Sequence, residues 1–279
     1  MNGIVFLNGA YLSKDKAFIS PEDRGFNFAD GVYEVIKYYR GSPFRMADHL
    51  ERLENSLKAV SINFHSISRL DTVFTTLLAV NGLENSDAGV YLQITRGAHK
   101  RVHHFPDIPE PTVYAFTFPF PSNTNGLANG IRVTTADDIR WLRCDIKSVS
   151  LLPNTMLYQQ ALESGAGECI LLRDGKVTEA THSSVLGIKN GKLLTHPLSN
   201  LILPGITRKV VLEICHAEGI PFDEIAFSKN DLYALDELFI AGTGSEILPV
   251  VQVDDVVLGD GTPGPVTRQI QKCFFSLVS

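Results

Sequence analysis

The 279-residue sequence has little of what would fix its class at a glance. It contains one tryptophan, three methionines and four cysteines, and it shows no internal repeat or low-complexity tract. Cys144, Cys169, Cys215 and Cys273 lie far apart with no CxxC pair, which fits reduced thiols better than a disulfide or zinc framework. No metal site is expected. No apolar run approaches the roughly 20 residues of a membrane span. The opening stretch, MNGIVFLNGAYLSKDK, has a short apolar run without a basic leader and does not read as a secretory signal. There is no basic excess either: Lys plus Arg is 25 against 31 Asp plus Glu, a net charge of −6, which argues against a nucleic-acid partner. Walker P-loop and HExxH patterns are missing. What is present is an ordinary globular mixture, 44% hydrophobic and 20% charged. A chain of this length can bury about three quarters of its unfolded surface without staples. The expectation is a globular protein of the cytoplasm.

The stretch 121–130, PSNTNGLANG, is rich in Ser, Asn and Gly and reads as a linker between an N-terminal domain, 1–120, and a C-terminal domain, 131–279. In the first, 4–7, 32–39, 90–95 and 113–118 read as strands. The stretch 46–60 reads as a helix with Leu50, Leu53, Leu57 and Val60 on one face and an acidic capping box of Asp48 and Glu51, and 68–80 as a second helix. Strands and helices without strict alternation predict an α+β layer. In the second domain, 131–135, 169–172, 184–188 and 238–241 read as strands. Asp174-Gly175 and Asn190-Gly191 read as hairpin turns. Helices are expected at 155–163, at 207–218 with a stop at Gly219, and at 266–277. Short strands and hairpins predict an antiparallel or mixed sheet rather than a Rossmann domain.

Candidate chemistry is scattered. Gly242-Thr243-Gly244 follows the apolar run LFIA; it reads as a tight turn or as a nest of N–H groups for an anion. Arg101, His103 and His104 in RVHH read as a surface loop or as an anion site. Arg52 in HLERL lies near the edge of the apolar stripe, where an arginine commonly snorkels. If residues 137–151 formed a strand, alternation would place Lys147 on one face with Asp145 and Arg143. Against an apolar wall its ammonium would be disfavoured, leaving a nucleophilic amine. Glu179 in KVTEATHSS ends a short strand, where a surface carboxylate is the default. Residue by residue, this nominates a lysine, a carboxylate and anion-binding groups without joining them.

The segments EDRGFNFADGVYEVIK, HLERL, QITRGAHKRVHHFP, DIRWLRCDIKS, KVTEATHSSVLGIKNG, LTHPLSNLILPGITR and DELFIAGTGSEILPV occur in one order across nearly the whole chain. Together they resemble the fold-type IV pyridoxal-phosphate enzymes, the class IV aminotransferases, and within them the bacterial D-amino-acid transaminases. The resemblance implies a mixed α/β protein of two domains, a smaller N-terminal α/β sandwich and a larger C-terminal mixed sheet or pseudo-barrel, with pyridoxal 5′-phosphate between them. Lys147 matches the lysine that forms the Schiff base, and Glu179 the carboxylate that pairs with the pyridine nitrogen. Arg52, Ile206, Thr207 and Thr243 match phosphate-cup positions, the backbone N–H serving at Ile206. Leu203 matches a residue packed near the ring. Tyr33, Arg101 and His103 match the group that captures the substrate α-carboxylate. The implied partners are an amino acid, a 2-oxo acid and a second copy of the chain, with neighbouring-chain residues near the pocket.

The sequence departs from that pattern in three places. Gly242 stands where the similar subgroup has a serine near the cofactor, His182 interrupts a serine run, and Ser184 replaces an asparagine. These changes imply fewer phosphate contacts and altered surroundings. On the same scaffold the alternatives are 4-amino-4-deoxychorismate lyase and branched-chain L-aminotransferase, both expected to lack the Tyr33, Arg101 and His103 trio. A non-catalytic anion binder would need neither Lys147 nor Glu179.

Overall fold

The computed structural model describes residues 3–278. The chain folds as two units. One ends at Pro121 and also takes in Ile146–Ser150, while the other runs from Ser122 to Asp145 and resumes at Leu151.

The first unit has strands β1 (Ile4–Leu7), β2 (Ala10–Ser13), β3 (Gly31–Tyr39), β4 (Ser42–Pro43), β5 (Ala88–Thr95) and β6 (Thr112–Pro119), and helices α1 (Arg24–Phe28), α2 (Met46–Ala59) and α3 (Leu70–Val80). The sheet order is β2-β1-β6-β5-β3-β4, antiparallel throughout. Period-2 alternation turns Val32 and Ile36 of β3 and Val90, Leu92 and Ile94 of β5 into a core shared with Leu53 and Leu57 of α2 and Phe74, Leu77 and Leu78 of α3. Burying each such side chain stabilises by about 1.5–3 kcal/mol. The expected capping box at α2 does not form: Arg45, in a left-handed conformation with φ of 55°, is the N-cap and makes no side-chain cap bond. Asp48 instead pairs with Arg45 at 3.7 Å.

The second unit has strands β7 (Ile131–Asp137), β8 (Glu168–Arg173), β9 (Lys176–Ala180), β10 (Ser184–Lys189), β11 (Lys192–Thr195), β12 (Phe222–Glu224), β13 (Glu237–Gly242), β14 (Glu246–Val253) and β15 (Val256–Val257). Its helices are α4 (Thr124–Asn129), α5 (Leu152–Glu163), α6 (Ile206–Glu218), α7 (Lys229–Tyr233) and α8 (Pro265–Ser276). The sheet runs β12-β11-β10-β13-β14-β7-β8-β9 and is mixed, with β11–β12, β14–β7 and β7–β8 parallel. Its last strand, β9, returns to the middle of the order through residues 181–183, closed by a bond from Ala180 N–H to Ser183 O of 2.8 Å, so the sheet curls on itself. The two Xaa-Gly turns have positive φ at both residues, 51° and 73° at Asp174-Gly175 and 51° and 74° at Asn190-Gly191, as two-residue hairpins require. Gly219 ends α6 at φ 69°.

Two expected segments differ. Residues 121–130 are not an open tether: α4 forms there, capped by Asn123, and buries Leu127 in the second core. Past Asp137 the chain leaves the sheet, and up to residue 150 it holds only an isolated bridge between Val32 and Ser148. Its polar groups turn to side chains and to the edge of β3 rather than to a ladder.

Candidate active site

Lys147 is seated on β3. Tyr33 N–H donates to Lys147 O at 3.0 Å and Val149 N–H to Gly31 O at 3.1 Å. Lys147 N–H donates to Ser56 Oγ of α2 at 3.2 Å. The backbone is thus gripped on both sides of the residue. Its half-buried side chain carries Nζ to 4.4 Å from the Tyr33 ring centroid, and the ammonium has no hydrogen-bond or ion-pair partner among the described residues.

Beside it lies a buried polar strip. His49, Arg52 and Ser56 fall at i, i+3 and i+7 of α2, next to the apolar stripe. Arg52 is bonded twice to Glu34 of β3, Nε to Oε1 at 2.8 Å and Nη2 to Oε2 at 2.9 Å, and His49 Nδ1 lies 2.8 Å from Glu34 Oε2. Arg52 is therefore an oriented, buried cation and does not snorkel to solvent. Burial works against the Glu34 carboxylate, but the Arg52 guanidinium and His49 outweigh it and hold the carboxyl far below the usual range. His49 is pushed below its ordinary value by burial, and the charges of Arg52 and Lys147 add to this, so its ring is neutral near pH 7.

Arg101 and His103 stand on a loop after β5. The Arg101 guanidinium carbon lies 5.1 Å from the Phe28 ring centroid, and the His103 and Phe28 rings are 5.6 Å apart. The first unit thus gathers Lys147, Tyr33 and Arg52 in one group and Arg101 with His103 in another. No hydrogen bond links the two groups among the described residues.

In the second unit Glu179, on β9, is buried. It pairs with Arg140, and its Oε2 accepts the Leu203 N–H at 3.1 Å. Arg140 is itself fixed by Asp138, Nε to Oδ1 at 2.9 Å and Nη2 to Oδ2 at 2.8 Å, and Asp138 also receives Arg173 at 3.1 Å and Thr178 Oγ1 at 3.0 Å. Burial raises the Glu179 carboxyl above its ordinary value against the pull of Arg140 and the Leu203 N–H. A further cation or N–H donor at Glu179 would favour its charged form.

Around the N-terminus of α6 a second set converges. Gly205, the N-cap, makes no side-chain cap bond, so the first-turn amides of Ile206 and Thr207 lack that partner. Thr207 is buried, and neither its hydroxyl nor that of Thr243 has a partner among the described residues. A Cβ on Gly205 would come within 2.6 Å of Ser184 Oγ, and one on Gly242 within 3.2 Å of Ser183 Oγ. Ser183 Oγ in turn lies 2.7 Å from Ser245 Oγ, in the β13–β14 turn that carries Thr243. Amides and hydroxyls thus gather near a helix N-terminus, a combination suited to an anion.

Sequence reasoning passed over Glu34, His49, Ser56, Asp138 and Arg140. A signal existed for the first three: Glu34 shares the period-2 face of Val32 and Ile36, and His49, Arg52 and Ser56 share one helix strip. Nothing local marks Arg140.

Residues 31–253 match the family described as amino-transferase class IV. The chain is 42% identical over 268 residues to D-alanine aminotransferase of Bacillus licheniformis, covering 96% of this chain and 94% of that one. It is 43% identical over 273 residues to D-alanine aminotransferase of Staphylococcus haemolyticus, covering 97% and 96%. Among solved structures, the branched-chain amino acid aminotransferase of Escherichia coli superposes with a TM-score of 0.93 at 27% identity, covering 100% of this chain and 95% of that one. The branched-chain aminotransferase of Thermoproteus uzoniensis gives 0.89 at 27% identity, covering 99% and 94%.

Proposed function

Because the chain belongs to the class IV aminotransferases, we propose that it exchanges the amino group between D-amino acids and 2-oxo acids, with pyridoxal 5′-phosphate as its cofactor. The residues suit that cofactor. The start of α6 offers amides and hydroxyls for a phosphate, and a Cβ on Gly205 or Gly242 would press on the neighbouring Ser184 or Ser183 hydroxyl. The Glu179 carboxylate, fixed by Arg140 and the Leu203 N–H, offers an acceptor for a protonated pyridine nitrogen. When bound, the cofactor supplies an electron sink for the pair left as the substrate Cα–H bond breaks.

The chain's own residues divide the remaining work. Lys147 Nζ would hold the cofactor covalently, and the same amine is placed to take the substrate Cα proton and to give a proton back. Glu34 keeps the Arg52 guanidinium oriented as a donor for an anion; in the second unit Ile206, Thr207 and Thr243 would bind the phosphate, with Leu203 near the ring. Tyr33, Arg101 and His103 hold the substrate α-carboxylate. Fixing that group on one side decides which hydrogen of Cα faces Lys147, so geometry selects the D enantiomer. The two half-reactions predict ping-pong kinetics.

The observation that carries this reading is the seat of Lys147: a backbone bonded to β3 and α2 on both sides, ending in an amine over the Tyr33 ring with no hydrogen-bond or ion-pair partner among the described residues. The 42% and 43% identity to D-alanine aminotransferases over nearly the whole chain favours D-amino acids over the branched-chain L reaction. Exposed Phe18, Phe26 and Ile108 support a homodimer, and four free cysteines support a cytoplasmic setting. One assay tests the function. D-alanine with 2-oxoglutarate should give pyruvate and D-glutamate, whereas L-leucine with 2-oxoglutarate and aminodeoxychorismate alone should give little. Turnover of L-leucine without D-alanine turnover would overturn the reading.

A further inference from the structure

We infer that Arg24, held by Asp30, is a positioning residue for substrate recognition: it sets where Arg101 and His103 stand. This rests on the carboxylate-binding role given to those two residues above. Between β5 and β6 the chain forms neither helix nor strand, so the loop that carries them has no regular scaffold of its own. Its anchors come from α1 and the residues flanking it. Arg24 N–H donates to Gly97 O at 2.9 Å, and His99 N–H to Glu22 O at 3.1 Å. Farther along, Arg24 Nη1 donates to Val102 O at 2.7 Å and to His104 O at 3.4 Å. Those carbonyls bracket His103.

The clamp is rigid at its other end. Arg24 is 3% exposed, and its Nε donates to Asp30 Oδ2 at 2.8 Å. Asp30 also receives Arg96, Nε at 2.8 Å and Nη2 at 2.9 Å. Arg96 donates onward to Val60 O at 2.6 Å and Ser61 O at 2.8 Å, tying the cluster to the C-terminal end of α2. The rings continue the support. Phe105 lies 3.5 Å from the Arg96 guanidinium carbon, and Phe28 lies 4.7 Å from that of Arg24 on the way to Arg101. Two buried guanidiniums on one carboxylate are costly to desolvate, and an apolar cluster would hold a surface loop at least as cheaply. What a guanidinium adds is a planar fork that fixes carbonyls in register. A receptor for a carboxylate needs that register, since a displacement of about 1 Å can cost on the order of 100-fold in rate.

The test compares wild-type, Arg24→Met, Arg101→Ala and double-variant holoenzymes. Arg24→Met should raise KM for both D-alanine and 2-oxoglutarate about tenfold or more, with kcat and cofactor retention within about twofold. Backbone amide exchange over residues 97–106 should quicken while that of β3 and β5 stays as in wild type. Because Arg24 acts through Arg101 and His103, its penalty should shrink in the Arg101→Ala background instead of adding in full. Arg24→Lys, whose single ammonium cannot serve both Asp30 and the loop carbonyls, should fall between. Unmoved KM values, or penalties that add fully in the double variant, would overturn the inference. If Arg24→Met fails to fold, Arg24→Lys and Asp30→Asn carry the same readouts. A wild-type enzyme inactive on D-alanine defeats the reading of function instead, a distinct result.

Discussion

At the residue scale the site is a problem of burying charge. Glu34 and Arg52 are almost wholly removed from water, yet each completes the other, and His49 shares the same carboxylate. Lys147 is the exception, since no described acceptor or acid meets its amine. Lys147→Ala should therefore leave the fold intact but lower turnover by about 10³-fold or more, and the protein should lose the covalent cofactor label that borohydride fixes in wild type. Retention of that label after the substitution would disprove the assignment. The same charges give stability a pH dependence whose sign can be worked out. The folded values of Asp30, Glu34 and Asp138 lie below their unfolded ones. Their contribution is present above about pH 4 and is lost as pH falls further. Burial also holds His49 below the ordinary histidine value, so its contribution is full above about pH 6.5 and is lost as acid forces a proton onto the ring. Glu179, with its folded value raised, acts in the opposite direction. Urea midpoints of the cofactor-free protein should fall between about pH 6.5 and 5, and His49→Asn should flatten that part of the curve. An unchanged slope would remove His49 from the account.

Among the elements, the loop after β5 depends on one close backbone approach. Gly97 has φ of 90°, and a Cβ there would lie 1.8 Å from Glu110 O. Gly97→Ala should cost about 2–3 kcal/mol, from backbone strain together with a clash that no side-chain rotation relieves; a shift of less than about 0.5 kcal/mol in urea denaturation would contradict it. Periodicity made α2 and β3 legible, because a 3.6-residue apolar stripe and a two-residue alternation survive in any context. The paired turns at Asp174-Gly175 and Asn190-Gly191 were legible for a different reason: their backbone demands those residue types. The start of α2 was not, since an acidic pair at positions 48 and 51 imitates a cap while the chain enters through the left-handed Arg45. Nor was the 137–151 stretch, whose alternating charges imitate a strand. Asp138 and Arg140 pair with each other, and Arg140 also pairs with the Glu179 carboxylate, a long-range partner that no local pattern announces. Of the candidate site, the resemblance supplied Lys147, Glu179 and Arg52, while the residues that hold them became visible only in three dimensions.

For the whole molecule, the units are not cut at one point in the chain. The first needs Ile146–Ser150 to cover the start of β3. A fragment ending at Pro121 would leave the Tyr33 N–H and Gly31 carbonyl unpaired on a strand edge, a template for pairing with another chain. That fragment should aggregate or unfold at lower urea than the same fragment joined by a short flexible linker to residues 146–150. Equal behaviour of the two in size-exclusion chromatography and urea titration would show that the five residues contribute nothing to the sheet. The arrangement also orders events on the ribosome. A nascent first unit waits, one margin open, until the polymerising chain has travelled on into its second half and back. The five residues that close that margin carry Lys147 with them, so its amine cannot reach its seat until synthesis has passed the midpoint of the chain.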